Sequence, residues 1–156
     1  MAVAIAAMIA LGLVLDLVVG LPRYVSLLSS SLGVVLIAGA LYLEGRATYV
    51  LWTLGGGTPN PVEPPKHLVT EGPYRFSRNP LYVARLLFLW GASLYLGSVG
   101  VLSVSILLLS ALHFVLLPRE EGRLEKRFGD SYNDYRRDVP RWIAVTGTNR
   151  RRVDRE

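Results

Sequence analysis

The sequence contains no cysteine and only two histidines among its 156 residues. The lack of cysteine excludes disulfides, thiolate nucleophiles and cysteine-ligated metal sites. Charge is also scarce in the N-terminal part, since residues 1–43 contain only Asp16 and Arg23 as charged residues. Because no basic segment precedes the first apolar run, we expect that run to be retained rather than cleaved as a signal peptide.

Long apolar runs are what the sequence has in abundance. Hydrophobic residues make up 51% of the chain, and the mean hydropathy is +0.36. A membrane-spanning helix needs about 20 mostly apolar residues, and somewhat shorter spans are tolerated. The sequence therefore predicts an all-α integral membrane protein with four transmembrane helices at about residues 2–19, 25–43, 81–96 and 99–117.

The connections between these runs are of two kinds. Leu21-Pro22 separates the first pair and residues 97–100 the second, so we expect two helical hairpins with tight turns. Between the hairpins, the helix should continue to the glycines at 55–57, and a proline-rich segment follows. Such a segment predicts a structured loop rather than another span.

The distribution of positive charge predicts the orientation in the membrane. Of the 17 Lys and Arg residues, only Arg23 falls in a turn on the side opposite the central loop. Because cytoplasmic segments of membrane proteins carry the excess of Lys and Arg, we expect both termini and the central loop to be cytoplasmic.

A regular stripe follows the fourth run. Apolar residues recur at steps of four, four and three, which predicts one face of a cytoplasmic amphipathic helix: Leu124, Phe128, Tyr132 and Tyr135. Gly129 should interrupt this helix and Val139-Pro140 should end it. We predict a single membrane domain at residues 1–143 and a basic flexible tail at residues 144–156.

The start of the third run carries unusual polar residues. Asn79 before Pro80 is typical of a helix start, with a side-chain cap followed by proline at the first helical position. Arg78, Tyr82 and Arg85 lie at i, i+4 and i+7 and therefore share one helix face. Arg85 could reach the lipid headgroups, or it could point inward, where it would need an anionic partner.

An acidic pair begins the last helix. Glu120 and Glu121 would stabilise the positive end of a helix dipole, which is a purely structural explanation. Glu121, however, lies on the same stripe as Leu124 and Phe128. A carboxylate on an apolar face needs a cationic partner or a ligand. These residues predict a polar pocket at the cytoplasmic membrane surface, without naming a reaction.

Two segments together resemble a known family. "HLVTEGPYRFSRNPLY" at residues 67–82 and "REEGRLEKRFGDSYNDYRRDVPRWI" at residues 119–143 resemble the isoprenylcysteine carboxyl methyltransferase and phospholipid methyltransferase family of integral membrane proteins. The shared elements are a Gly-Pro-Tyr-Arg turn, an Arg-Asn-Pro-x-Tyr helix start, a Glu-Glu pair, Phe-Gly-x-x-Tyr and a terminal Val-Pro.

The resemblance implies methyl transfer from S-adenosyl-L-methionine to a membrane-resident acceptor, which is a lipid-soluble small molecule or a prenylated group. The first expectation is a carboxylate, as in isoprenylcysteine-type O-methylation, with a phospholipid or other lipid amine as the alternative. It implies cofactor binding by the residues at the family's matching positions: Lys66, His67, Leu68, Val69, Tyr74, Asn79, Pro80, Leu81, Tyr82 and Glu120. In this interpretation Asn79 and Tyr82 donate to the cofactor's carboxylate and Glu120 pairs with its amino group.

Two positions depart from the isoprenylcysteine branch. Asn79 replaces a histidine, which keeps a hydrogen-bond donor but not a base. Leu116 replaces a substrate-contacting arginine, and Arg119 or Arg85 is the candidate to compensate. We therefore take Arg85, Glu121 and Arg119 as the candidate catalytic residues and expect no metal.

Other functions are less consistent with the sequence. An NADPH-dependent intramembrane reductase would need a longer nucleotide-binding segment, and a non-catalytic protein that binds anionic lipid leaves the acidic pair unexplained. Nucleic-acid binding is not expected, because the positive charge is interleaved with acids. His113 in the fourth run is expected to hydrogen-bond a neighbouring helix rather than to act in catalysis.

Overall fold

The fold is all-helical in the computed structural model, which describes residues 2–56 and 66–143. The described residues contain no strand, and their helices are α1 Ala2–Val19, α2 Leu27–Gly55, α3 Pro80–Leu96, α4 Val99–Ala111, α5 Leu117–Phe128 and α6 Asp130–Asp138. A 3-10 turn covers Gly72–Arg75 and a π-helical turn covers Leu112–Leu116. The predicted basic tail at residues 144–156 and most of the proline-rich segment lie outside the described residues.

The predicted helix positions are confirmed, but the packing differs from the prediction of two hairpins. α2 packs mainly against α3, and α1 packs mainly against α4 rather than against its sequence neighbour α2. α3 and α4 are adjacent, as expected for the second hairpin. The first predicted hairpin is therefore not a packed pair in the part of the chain that is described.

Close contacts between glycines explain why α2 packs against α3 and why α1 packs against α4. Gly33 on α2 faces Gly91 on α3, where a Cβ atom on Gly33 would lie 2.7 Å from the Gly91 carbonyl oxygen. Gly12 on α1 faces Gly100 on α4 in the same way. Small residues at a crossing let two backbones approach closely, and this drives helix association where lipid removes the hydrophobic contribution.

Asp16 reinforces the contact between α1 and α4. Its buried carboxylate accepts hydrogen bonds from the Ser98 hydroxyl at 2.5 Å and from the Gly100 N–H at 2.6 Å. Both donors lie at the N-terminus of α4, where N–H groups lack partners within the helix and the helix dipole favours a negative charge. The single acid of the first apolar run therefore has a structural explanation.

Two helices are long and apolar enough to cross a membrane by length and composition, namely the 29 residues of α2 and the 30-residue continuous helix Val99–Phe128. Two further helices, Val3–Val19 and Pro80–Leu96, are apolar but shorter. The prediction of four membrane passes therefore stays a prediction.

The fourth run and the helix after it form one continuous helix with a π-helical turn between them. At this turn the Leu117 N–H donates to the Leu112 carbonyl, five residues earlier. In the same register the next donor would be residue 118, but this residue is a proline and has no N–H. The carbonyl of His113 is therefore left to accept a hydrogen bond from elsewhere.

The amphipathic stripe after Pro118 is confirmed. Tyr132, Tyr135 and Val139 form a buried cluster, against which Leu124 and Phe128 pack. Gly129 separates α5 from α6 with a positive φ of 54°, which glycine adopts readily. The stripe packs against the loop that precedes α3, because Leu68 contacts the same cluster.

Candidate active site

The start of α3 is held by the C-terminal segment rather than by a side-chain cap. Pro80 is the first residue of α3 and Asn79 occupies the N-cap position, but the Asn79 side chain makes no capping hydrogen bond there. Its Nδ2 donates instead to the Arg141 carbonyl at 3.0 Å. The predicted side-chain cap is therefore wrong, because a backbone acceptor from the C-terminal segment takes the amide.

Two of the predicted cofactor residues meet directly. The Tyr82 hydroxyl on α3 donates to Glu120 Oε1 on α5 at 2.7 Å. The residues are 38 positions apart in the sequence, and both side chains are only partly buried. A phenol and a carboxylate at this distance can together bind a ligand that carries donors and acceptors.

Arg85 points inward. Its Nη2 lies 3.7 Å from Glu44 Oε1 on α2, its side chain is 18% exposed, and its guanidinium lies 5.2 Å from the centre of the Tyr82 ring. Of the two orientations left open by the sequence, the inward one with an anionic partner is confirmed. The partner itself was missed, although Glu44 is the first charged residue after the second apolar run.

This ion pair is incompletely satisfied. Glu44 Oε1 and Arg85 Nε are both buried, and neither has a hydrogen-bond partner among the described residues. Buried polar atoms are rarely left without partners, so these two atoms are candidates for contact with a ligand or a water molecule. We refer to Glu44, Tyr82, Arg85 and Glu120 as the polar cluster. With two carboxylates and one guanidinium, its formal charge is one negative unit.

Glu121 belongs to a different network. Its carboxylate contacts Arg78 Nη1 at 2.9 Å and receives two hydrogen bonds from Arg141, at 2.9 and 2.7 Å. Hydrogen bonding to Glu121 raises the pKa of the Arg141 guanidinium. The predicted cationic partner of Glu121 is thus found twice, and we call Arg78, Glu121 and Arg141 the C-terminal clamp. These contacts occupy both carboxylate oxygens of Glu121.

The clamp also reaches the π-helical turn. Arg141 Nη1 donates to the free His113 carbonyl at 3.2 Å, and Trp142 Nε1 donates to His113 Nδ1 at 3.1 Å. His113 is hydrogen-bonded, as expected, but its partner comes from the C-terminal segment rather than from a neighbouring helix. Neither Arg141 nor Trp142 was singled out in the sequence, where only their place after the Val-Pro stop marks them.

The other predicted residues lie around these two groups. Tyr74 is buried against α2 with Val69, and Leu81 packs on the same cluster. Burial raises the pKa of the Tyr74 phenol. Leu68 joins the C-terminal cluster, whereas Lys66, His67 and Arg119 are exposed. Among the predicted residues, the described structure thus joins Tyr82, Arg85 and Glu120 in one cluster.

Comparison with known proteins places this architecture in a family. The profile of the phospholipid methyltransferase family matches residues 28–131, which include the whole polar cluster. No solved structure matches the chain significantly.

Two curated proteins resemble parts of the chain. The protein-S-isoprenylcysteine O-methyltransferase of Schizosaccharomyces pombe is 36% identical over 78 residues, which cover 50% of this chain but only 33% of that enzyme. An uncharacterized protein of Haemophilus influenzae is 41% identical over 64 residues, which cover 40% of this chain and all of that protein. Because the family profile spans most of the helical core, the chain belongs to the phospholipid methyltransferase family, as its paired motifs predicted.

Proposed function

We propose that the protein is an S-adenosyl-L-methionine-dependent methyltransferase that acts on a membrane-resident acceptor. Family membership supports the reaction class, and the similarity to an isoprenylcysteine O-methyltransferase supports a lipid-linked carboxylate as the acceptor. The observation that carries the proposal is the hydrogen bond of 2.7 Å between Tyr82 and Glu120, which joins the two halves of the signature in one site.

The polar cluster fits this cofactor in charge and in hydrogen-bonding groups. S-adenosylmethionine carries a sulfonium, an ammonium and a carboxylate, so its net charge opposes the single negative charge of the cluster. Glu120 and Glu44 would hold the ammonium and face the sulfonium, while Arg85 and Tyr82 would hold the carboxylate. The buried atoms of Glu44 and Arg85 that lack partners in the described residues are available for such contacts.

The fit also changes the role of two predicted residues. Asn79 already donates its amide to the Arg141 carbonyl, so we assign it to positioning the start of α3. Glu121 is held by two arginines and is assigned to positioning Glu120, its neighbour on α5. Arg119 is exposed, and it stays a candidate for contact with an acceptor headgroup.

The chemistry required of the protein is modest. The bound cofactor supplies a methyl group already activated by the sulfonium. An ionised carboxylate acceptor needs no general base, so the protein's task is to orient the reactants in line and to exclude water. The polar cluster does this at the junction of α2, α3 and α5, where Tyr82 and Arg85 are fixed by partners on two other helices.

We further propose four membrane passes, with both termini and the polar cluster on the cytoplasmic side. The two shorter apolar helices would span a bilayer that is locally thinned around them. The cofactor would then enter from water, and the acceptor would arrive through lipid. In this arrangement residues 1–143 form one membrane domain and residues 144–156 a basic cytoplasmic tail.

Calorimetry with S-adenosylhomocysteine tests the proposal on detergent-purified protein. We expect Tyr82→Phe and Glu120→Gln each to weaken binding by about tenfold or more, because the first removes a donor to the ligand's carboxylate and the second removes the negative charge that pairs with its ammonium. Tyr95→Phe and Glu125→Gln are matched controls, since both side chains are exposed on the same two helices, and they should bind like the wild type. Absence of binding by the wild type would refute the proposal, and binding of NADPH instead would favour a reductase.

The name of the phospholipid methyltransferase family suggests one alternative acceptor, the amine of a phospholipid. Product chemistry separates the two. With methyl-labelled cofactor and membrane lipid, a carboxyl methyl ester releases labelled methanol in mild alkali, whereas an N-methyl group stays bonded to nitrogen in a non-volatile product. We expect alkali-labile label, and alkali-stable label would show N-methylation.

A further inference from the structure

The buried face of the continuous helix formed by α4, the π-helical turn and α5 shifts by one residue at that turn. Before the turn the buried residues include Val101, Ser105 and Leu112, which are separated by steps of four and seven. The next buried residue is Leu117, five positions after Leu112, and Glu121 follows four positions later. Steps of four and seven stay on one face of an α-helix, whereas a step of five does not. The turn therefore inserts one extra residue into the helical register.

This insertion decides which α5 side chains face the polar cluster. Successive residues of an α-helix are rotated by about 100°, so loss of the extra residue would turn α5 by about that angle relative to α4. Every α5 side chain would then take the direction that the following residue has now. Arg119 would point where Glu120 lies, toward the Tyr82 hydroxyl that is now 2.7 Å from Glu120 Oε1. With α3 and α4 in place, the contact between Tyr82 and Glu120 thus requires the π-helical register.

Two groups favour this register. In an α-helix the Leu117 N–H would donate to the His113 carbonyl, but here it donates to the Leu112 carbonyl. Arg141 Nη1 takes the His113 carbonyl at 3.2 Å, so the turn loses no hydrogen bond at this atom. The ring of Pro118 acts in the same direction, because in an α-helix it would clash with the carbonyl four residues earlier. Arg141 is therefore the side chain that compensates the irregular turn.

Arg141 also holds α5 beyond the turn. Its Nε and Nη2 donate to the Glu121 carboxylate at 2.9 and 2.7 Å, while Nη1 donates to His113. In an α-helix two residues eight positions apart differ by about 80° around the axis, and the extra residue reduces this to about 20°. His113 and Glu121 therefore face the same guanidinium in the π-helical register and diverge in the α-helical one.

We propose that Arg141 is a positioning residue for methyl transfer, and that it acts by holding the π-helical register that turns Glu120 toward Tyr82. This inference rests on the proposed methyltransferase function and adds to it a residue outside the polar cluster. In the described part of the chain the guanidinium donates only to Glu121 and His113, so it acts through α5. Without it, the His113 carbonyl regains a partner by taking back the Leu117 N–H, which restores the α-helical register.

Thiol labelling tests the register directly, because the sequence has no cysteine and a single introduced cysteine is the only thiol. Arg123 is exposed, whereas Leu124 packs on the cluster around Tyr132. In detergent, Arg123→Cys should therefore react several-fold faster with a maleimide than Leu124→Cys. Addition of Arg141→Ala should reverse this order, since residue 123 takes the direction of Leu124 and residue 124 that of Glu125. General loosening of the helix would instead speed up both thiols, and that result or an unchanged order would overturn the proposal.

Two further variants make this test specific. Arg137→Ala removes a side chain that is 75% exposed on α6, and it should keep the wild-type order of the two thiols. Deletion of Phe114 together with Pro118→Ala removes the extra residue and lets the N–H of residue 118 donate to the His113 carbonyl in a plain α-helix. α5 then keeps its present direction without Arg141. In this shortened helix Arg141→Ala should leave the order unchanged, and a reversal there would show that Arg141 does not act through the turn.

Binding of S-adenosylhomocysteine connects the register to the proposed function. Arg141→Ala should weaken it by about tenfold, as Glu120→Gln does, because both take the Glu120 charge away from the ligand's ammonium. The double variant should bind no more weakly than Glu120→Gln alone, and an added loss would contradict action through Glu120. Arg141→Lys keeps one donor for the His113 carbonyl, so it should recover part of the affinity, and it replaces Arg141→Ala in both tests if that variant does not fold.

Failure of the two proposals can be told apart. If the wild type does not bind S-adenosylhomocysteine, the methyltransferase proposal fails, and the order of the two thiols still decides whether Arg141 sets the register of α5. If the wild type binds the ligand but Arg141→Ala binds it equally well, the methyltransferase proposal stands and the positioning role of Arg141 is refuted.

Discussion

Arg141 holds the Glu121 carboxylate with two hydrogen bonds, from Nε to Oε1 at 2.9 Å and from Nη2 to Oε2 at 2.7 Å. Such a paired contact fixes both the distance and the orientation of the two groups. Through it, the C-terminal segment is joined to α5 next to Glu120 of the polar cluster. Together with the hydrogen bond from Asn79 to the Arg141 carbonyl, the clamp ties the last described residues to the candidate active site.

Removal of the clamp should destabilise the protein. Arg141→Ala takes two charge-assisted hydrogen bonds from a buried carboxylate, and Arg78 still contacts Glu121, so we expect a loss of about 2 kcal/mol. For a domain of this size, the thermal midpoint in detergent should fall by about 5 °C. Arg141→Lys should recover only part of this, because an ammonium cannot reproduce the paired geometry. Arg137→Ala, at a site that is 75% exposed, is the control, and an equal loss there would contradict the clamp.

The side chains of Glu44 and Arg85 are only 21% and 18% exposed, so the effects of substituting them on the free energy of unfolding should not be additive. Glu44→Gln and Arg85→Met each leave the opposite charge without its partner, whereas the double variant removes both charges. We therefore expect the double variant to be more stable than the sum of the single effects predicts, by about 1 kcal/mol or more. The exposed pair Arg136 and Glu125, with side chains 48% and 47% exposed, should couple by less than about 0.5 kcal/mol.

Binding measurements on the same variants separate structure from ligand contact. If Glu44 and Arg85 hold the cofactor, affinity for S-adenosylhomocysteine should stay low in the double variant even where stability recovers. Recovery of affinity together with stability would assign the pair a structural role alone.

The sequence predicted the helices well because each is encoded locally. The apolar runs are long and end at glycine or proline, so the bounds of α2 and α3 fall within a few residues of the prediction. Tyr132 and Tyr135 belong to a stripe of apolar residues at helical spacing, and this spacing predicted which face of the helix is buried. The meeting of Tyr82 with Glu120 depended on the resemblance, because no local pattern joins residues 38 positions apart.

The contacts that were missed are those made across helices. Glu44 lies at the end of an apolar run, and nothing in its neighbourhood identifies Arg85 as its partner. The π-helical turn at Leu112–Leu116 has no simple local signal, although Pro118 explains afterward why one carbonyl is free. Arg141 contacts side chains and carbonyls 20 to 28 residues away, and its partners become neighbours only after α5 and α6 fold back.

Two Gly→Ala substitutions on α2 should have very different effects on the free energy of unfolding, because only one of them lies where α2 crosses α3. Gly33→Ala would place a methyl group 2.7 Å from the Gly91 carbonyl oxygen, so the helices must move apart, at a cost of about 1–3 kcal/mol. Gly39→Ala, six residues later on the same helix, meets no atom of the described residues within 4 Å. It should be neutral or stabilise by up to about 1 kcal/mol, because alanine is the better helix former. Unfolding in mixed detergent micelles measures both, and equal effects would show that this crossing does not limit stability.

The buried Tyr135 phenol predicts a specific dependence of stability on alkaline pH. Its hydroxyl donates to the Tyr74 carbonyl at 2.7 Å, and burial raises the pKa of Tyr135. An unfolded tyrosine titrates near pH 10, so the stabilisation by the neutral Tyr135 phenol is fully present below about pH 10 and is lost as the pH rises toward the higher folded pKa.

Tyr135→Phe should cost about 1 kcal/mol at pH 7. Its deficit relative to the wild type should then narrow between about pH 10 and 11, where the wild type alone loses the contribution of this phenol. Tyr42→Phe, at a side chain that is 71% exposed, should follow the wild type throughout. Thermal unfolding of the three proteins at pH 7, 9 and 11 measures the effect, and parallel curves for wild type and Tyr135→Phe would show that another group governs the alkaline transition.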